Sequence, residues 1–363
     1  MKALKHIING TVWTLLGLYA IVLLAIHIPA VQREIGSKTA ELLSETLGTE
    51  VKVGRIDLGF LNRLIIDDVI VYDQQHKTLL KAARVTAKVD PTSFILGKIS
   101  ISSAQIFGAK AHLSRKDAES PTNFQFILDA LASNDTTSNR PLDLRVNSFI
   151  MRNSSISYDQ WDVPSTPGKF NPQHLNVLNI SAHVILKVLR EDSINVNVKR
   201  LTFLEQSGIN VRRLALRFAA GNQNGELQDF HLQLPETDIH IDSLVATYNR
   251  RQFQESLRFQ GGIDNTSITP SDFRGLIPAL KNYQHTLLLK TDFSYEGHTL
   301  TVPRLQIESE MGDLSLQAGG HFTHSPNGKD TWKAGVSHLL VTNEAIDFLS
   351  KRIVKLPEPL SFV

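Results

Sequence analysis

The chain contains no cysteine in 363 residues. That removes disulfide frameworks, thiol nucleophiles, thiolate zinc sites and iron–sulfur clusters in one step. It does not assign a compartment, because envelope proteins need not use disulfides. An excess of one charge is lacking too. Thirty-eight basic against thirty-six acidic residues leave +2, whereas a dedicated nucleic-acid binder presents a strongly basic face. The Gly-rich dinucleotide and P-loop motifs, the G-x-S-x-G elbow and the H-E-x-x-H zinc helix are all absent. Charged residues make up only 20% and hydrophobic ones 42%, so there is apolar side chain for a core and wholesale disorder is not expected. The mean hydropathy of −0.10 is that of a soluble chain. That average conceals the first thirty residues.

There is one long hydrophobic run, and it lies at the N-terminus. Between Val12 and Ile28 only Thr14 and His27 are clearly polar. Counted from Ile7, the run is long enough to cross a hydrocarbon core of ~30 Å as a helix. The residues expected to span are Val12, Trp13, Leu15, Leu16, Leu18, Tyr19, Ile21, Val22, Leu23, Leu24 and Ile26. Lys2 and Lys5 precede the run and Pro29 ends it. A cleaved signal peptide is the first alternative, but the run exceeds an h-region of roughly 7–15 residues. A buried core helix is the second, but the segment is apolar on every side. Residues 1–29 are therefore read as a single-pass anchor, N-terminus cytoplasmic, with the bulk translocated. His27 sits one turn from the end, where its ring reaches the interface, so it carries no functional assignment.

Residues 30–48 read as an amphipathic helix. Val31, Ile35, Leu42, Leu43 and Leu47 form its stripe, and Gly48 is its stop. The period then changes from 3.6 to 2. Leu142, Leu144, Val146 and Ile150 alternate with polar residues. So do Ile180 to Val188, Ile194 to Val198, Leu214, Leu216 and Phe218, then Phe230, Leu232 and Leu234, Ile239 and Ile241, and Leu314 to Ala318. Alternation of this kind marks strands with one buried face. Turns rich in Gly and Asn separate them, as at Asn224-Gly225 and Glu296-Gly297. Short helices are expected at 124–132, 272–283 (with Pro278 inside it) and 344–353. Polar loops are expected near 114–123, 133–141 and 162–172. The expected fold is mainly β: after the two N-terminal helices, residues 49–363 form an elongated, curled, mostly antiparallel sheet with a few short helices.

The chemistry-bearing residues are scattered. His321 and His324 fall on opposite faces of a strand, which disfavours a shared metal. Asp67-Asp68 and Glu308, Glu310 and Asp313 read as turn or sheet-edge charge, since adjacent strand carboxylates diverge. Arg212-Arg213 and Lys351-Arg352 are too few for a phosphate track. Trp161 reads as a sheet aromatic in preference to a loop contact. No enzyme, cofactor or metal centre is expected.

The order of segments carries a resemblance. Pro29-Ala30-Val31-Gln32 follows the apolar run directly. Next come Leu47-Gly48-Thr49-Glu50-Val51-Lys52-Val53-Gly54-Arg55-Ile56, Leu64-Ile65-Ile66-Asp67-Asp68-Val69-Ile70-Val71-Tyr72-Asp73 and Thr78-Leu79-Leu80-Lys81-Ala82. Leu201 to Gly208 (LTFLEQSG), the 271–283 segment and Leu356-Pro357-Glu358-Pro359-Leu360 follow. This order resembles the N-terminal part of the AsmA-like proteins, in particular the TamB (translocation and assembly module) branch. The resemblance implies an inner-membrane anchor and a periplasmic β-groove whose apolar concave face carries phospholipid acyl chains toward the outer membrane. It also implies work with an outer-membrane barrel-assembly protein, through a C-terminal region that this chain does not contain. Members of the branch are much longer, so the chain is expected to be the first part of a longer sheet. The groove candidates are Leu142, Leu144, Val146, Ile150, Val184, Leu186, Leu214, Leu216, Phe218, Leu232, Ile239 and Ile241. Two arrangements stay open on sequence: an open groove, or a sandwich closed on its own apolar residues. A scaffold that binds envelope proteins by strand addition is the alternative function.

Overall fold

The computed structural model describes residues 13, 14, 17, 28–59, 63–89, 99–132, 142–190, 193–325 and 328–342. About 60% of the chain is strand and helices are few. The chain divides into two compact units, Met1–Val163 and Pro164–Val363.

The first unit is a sheet backed by two helices. Helix α1, Pro29–Leu47, starts with proline in its first turn, where a missing N–H is harmless. It ends on Gly48 at φ 64, whose N–H donates to the Ser44 carbonyl. The Ser44 hydroxyl accepts the Val51 N–H at 2.9 Å and so ties the helix to the first strand. The strands are β1 (Val51–Lys52), β2 (Arg55–Gly59), β3 (Arg63–Tyr72), β4 (Thr78–Val89), β5 (Ile99–Phe107), β6 (Lys110–Arg115) and β7 (Leu142–Gln160). Both β1 and β2 pair with β3, and both β5 and β6 pair with β4, so each couple is one strand with an interruption. β7 runs parallel to β5 and β6. Parallel pairing demands a long crossover, and helix α2, Gln125–Ala132, lies in it.

The interruptions line up. Asp68, Gly108 and Asn153 all have positive φ, at 55°, 62° and 50°. The register places Gly54, Asp68, Ala83, Gly108 and Asn153 in one row across the sheet. Strict alternation from Ile66 would turn residue 68 inward. The left-handed residue at Asp68 shifts the parity, so Ile66 and Val69 both reach the core. That core holds Val51, Ile56, Ile66, Val69, Val71, Leu79, Ala82 and Ala109, with Ile35, Leu43 and Leu47 of α1 and Phe126 and Ile127 of α2 packed on it. At the crease the Ala109 N–H donates to the Ser154 hydroxyl at 3.1 Å, and that hydroxyl donates to the Arg152 carbonyl.

The second unit is a meander of ten strands: β8 (His174–Arg190), β9 (Ser193–Glu205), β10 (Asn210–Ala220), β11 (Asn224–Gln233), β12 (Asp238–Thr247), β13 (Arg258–Ile268), β14 (Leu287–Glu296), β15 (Thr299–Ser309), β16 (Leu314–Thr323) and β17 (Thr331–Val341). Each pairs antiparallel with the next. Tight turns enforce this. Gly297 and His298 both have positive φ between the paired Glu296 and Thr299, the two-residue hairpin turn that matches strand twist.

The expected helix at 272–283 is not one helix. Two 3-10 turns, Pro270–Phe273 and Pro278–Asn282, stand in its place. Pro278 has no N–H to give and pushes Ile277 into an extended conformation, at φ −125 and ψ 91. The segment is held by polar side chains instead. Asp272 accepts the Glu236 N–H at 2.9 Å, and the Thr237 hydroxyl accepts the Thr269 N–H at 3.0 Å. The helix expected at 344–353 lies outside the described residues.

Candidate apolar binding face

In register, paired residues point to the same side of a sheet, so the pairings sort the second unit into two faces. One face is apolar on every strand. Val184 and Leu186 of β8 lie opposite Val198 and Val196 of β9, which lie opposite Leu216 and Phe218 of β10. Phe218 faces Leu227 and Leu214 faces Leu232. Phe230 faces Ile241, and Leu232 faces Ile239. The series continues through Leu244, Phe259, Leu289, Ile307 and Leu316 to Leu339. Trp332 and Phe322 are paired at the other end of β16 and β17.

The opposite face is wet. It carries the exposed ion pairs Arg258–Glu296, Lys290–Asp264 and Arg304–Asp292 at 2.7, 2.6 and 2.7 Å, and Arg217–Asp229. Exposed pairs of this kind contribute little stability, about 0.2–1 kcal/mol each. Their weight here is that they assign the faces. Val245, Leu288 and Leu340 are exposed apolar side chains on the wet side.

Parity is kept by bulges. Register shifts interrupt β9/β10, β10/β11, β13/β14, β14/β15, β15/β16 and β16/β17 near mid-strand. Each adds a residue to one strand and bends it. At the β15/β16 bulge Gly319 lies so close to the Pro303 carbonyl that a Cβ would meet its oxygen at 2.6 Å. Aromatics gather around another glycine on the apolar face. The Phe293 ring covers Gly261, and Phe259 stacks on Tyr295 with centroids 5.1 Å apart.

Among the described residues, little covers this face. Among the described residues of the second unit, only Ile180, Val211, Leu234 and Tyr283 are buried apolar side chains. Most of the apolar face is half-buried, and ten of the eleven residues of β17 are exposed, with Trp332 at 76%. The described helices of this unit are five residues or shorter. A sandwich of this size would bury its apolar side chains as the first unit buries Ile56 and Leu79, at 2% and 1%.

Of the residues expected to line a groove, Val184, Leu186, Leu214, Leu216, Phe218, Leu232, Ile239 and Ile241 share this face. Ile150 does not: it lies in the first unit, pairs with Gln105 and points away from the side that Ile106 presents to the core. The side chains of Leu142, Leu144 and Val146 lie outside the described residues. Val188 leaves the face as well, because a register shift after Leu186 pairs it with Asn195. Of the expected membrane span only Trp13, with Thr14 and Gly17, is described; Val12, Leu15, Leu16, Leu18, Tyr19, Ile21, Val22, Leu23, Leu24 and Ile26 lie outside. Among the described residues no helix is long and apolar enough to cross a membrane.

The polar candidates are dispersed. Asp67 is held between Arg84 and Arg55, at 2.7 and 3.0 Å. The hydrogen bond from Arg84, seconded by Arg55, keeps its carboxyl below the usual range against the opposing effect of burial. Asp68 diverges at the crease. Asp313 is buried, apart from Glu308 and Glu310, and accepts from Ser309 and from His285 at 2.8 Å. Burial pushes its carboxyl up, but those hydrogen bonds outweigh it and the net direction is down. Nearby Tyr283 is pushed up to about 12, by burial first and by the Asp313 charge second. His324 pairs with Asp330 and does not join His321. Trp161 is 67% exposed in the turn after β7 and is not a sheet aromatic. Lys351 and Arg352 lie outside the described residues. One cluster escaped the sequence reading: His231, Asp238 and His240 converge on the wet face. The signal was a His and an Asp-x-His on strands flanking the Leu234–Thr237 turn.

No family model, no curated protein and no solved structure matches the chain.

Proposed function

We propose that this protein is anchored in the inner membrane by its N-terminal run and shields phospholipid acyl chains on the apolar face of its sheet, serving lipid transport through the periplasm and outer-membrane biogenesis. The observation that carries the reading is an apolar face running across ten consecutive strands without a covering layer among the described residues. Exposed apolar surface beyond a few hundred Å² is rarely left without an occupant. An acyl chain suits it, since each buried CH₂ is stabilised by about 0.8 kcal/mol without a directional contact. The bulges bend successive strands, which favours a curled groove over a flat sheet. The resemblance to AsmA-like proteins of the TamB branch points the same way, and an outer-membrane barrel-assembly protein belongs to that reading as a partner.

Photo-crosslinkers at Leu216 and Leu232, and at Arg213 and Gln228 on the wet face, test this in cells. Phospholipid captured at the first pair and not at the second supports the groove. Equal capture at all four positions overturns it. A second reading, strand addition by an assembly scaffold, is favoured by the exposure of β17. A stoichiometric protein partner purified without lipid, and lost when Ser337→Pro interrupts β17, would establish it instead.

A further inference from the structure

We propose that His231, Asp238 and His240 form a binding site for a divalent transition metal of the zinc class, on the face of the sheet opposite the apolar one. The β11–β12 hairpin builds it. His231 and His240 are direct register partners, and Asp238 lies two residues before His240, on the same side of the strand. The Nε2 atoms of both rings stand 2.9 Å from the same Asp238 oxygen, Oδ1. The rings stack with centroids 3.9 Å apart. The three donor atoms all lie within 4.8 Å of one another. Tetrahedral zinc with bonds of ~2.0–2.1 Å holds its donors on the order of 3.3 Å apart, so the two imidazole–carboxylate distances are a few tenths of an ångström shorter than the metal needs.

The donor set is selective. Two imidazoles and one carboxylate suit zinc and its neighbours, whereas calcium and magnesium take oxygen-rich shells. The frame is rigid where it matters. Leu234 N–H donates to the Thr237 carbonyl at 2.9 Å and closes the turn. The His240 N–H donates to the Thr266 hydroxyl at 3.1 Å, which fixes the strand carrying two of the three ligands. One side of the cluster is open: the His240 and Asp238 side chains are 46% and 38% exposed, against 20% for His231. Water or an anionic group therefore completes the coordination. Without metal, His231 Nε2 is hydrogen-bonded to Asp238 Oδ1, and His240 Nε2 lies within ion-pairing distance of the same oxygen. A metal bound at Nε2 leaves each neutral imidazole with its proton on Nδ1.

Zinc titration of the EDTA-stripped full chain, by calorimetry and thermal unfolding, tests the site, with cobalt absorption reporting the geometry. One saturable equivalent is expected, with a rise in Tm of about 2–4 °C. The chain has 13 histidines, so stoichiometry alone does not locate the metal. His240→Asn and His231→Gln should each abolish the equivalent and the Tm rise. His324→Asn, in the exposed pair with Asp330, should leave both unchanged. If His231→Gln does not fold, the more exposed His240→Asn decides. No saturable zinc, wild-type zinc binding by His240→Asn, or an equal loss in His324→Asn would each overturn the proposal.

Discussion

Gly54 and Asp68 face each other so closely that a Cβ on the glycine would stand 2.9 Å from the aspartate Cβ. This contact opens the row of kinks that crosses the first unit. Real Cβ atoms do not approach so near, and the Asp67 carbonyl, 3.1 Å from the same point, closes the other direction. Gly54→Ala should therefore destabilise the first unit by about 1–3 kcal/mol. Gly36→Ala, whose Cβ would meet nothing closer than 3.6 Å, should be neutral or stabilising. Urea unfolding of the two variants measures the difference.

The crease also depends on a buried hydroxyl. Ser154 is 2% exposed and accepts the Ala109 N–H. Ser154→Ala leaves that donor buried and unsatisfied, at a cost of about 1–3 kcal/mol. Ser157 bonds His112 at an exposed position, and Ser157→Ala should cost less than about 0.5 kcal/mol. Equal losses in the two variants would show that the hydroxyl is not structural.

Truncations separate core from groove. Leu79, 1% exposed, lies in a closed core, and Leu79→Ala should cost about 2–5 kcal/mol. Leu216 is half-buried on the apolar face, which the described residues leave uncovered, and Leu216→Ala should cost less than about 1.5 kcal/mol. Leu216→Asp should then reduce lipid capture in cells while protein abundance holds. A loss at Leu216 as large as that at Leu79 would indicate a closed sandwich.

Acid should act on the first unit through Asp67. Its carboxyl is depressed by Arg84 and then Arg55. A depressed carboxylate stabilises the fold above its unfolded pKa of ~3.9, and that stability is lost as pH falls through the lower folded value. Asp67→Asn should lower stability at pH 7 by on the order of 1 kcal/mol, allowing for solvent around the two arginines. It should also flatten the loss of stability below pH ~4. Unfolding at pH 7 and at pH 3 checks both effects.

Much of this was legible locally. Helix Pro29–Leu47 follows from its apolar stripe, with the glycine at 48 setting its end, and Gln125–Ala132 falls within the helix expected at 124–132. The alternation of Leu214, Leu216 and Phe218 by itself puts them on one face. What failed did so where a single residue breaks the period. Pro278 divided an amphipathic pattern into two turns. The shift after Leu186 turned Val188 to the wet side. The parallel return of β7 left no mark in composition, because a crossover strand alternates like a hairpin strand.

The absence of cysteine, the near-zero net charge and the period of two determined a β protein without thiol chemistry, since each is a property of composition or of neighbours along the chain. Only the tertiary structure decided which residues share a face and how far the described residues cover it. Register is a long-range property: a slip of one residue exchanges the two sides of a strand. The same reason hid His231 and Asp238 from each other in the sequence, where seven residues separate side chains that the hairpin brings to 2.9 Å.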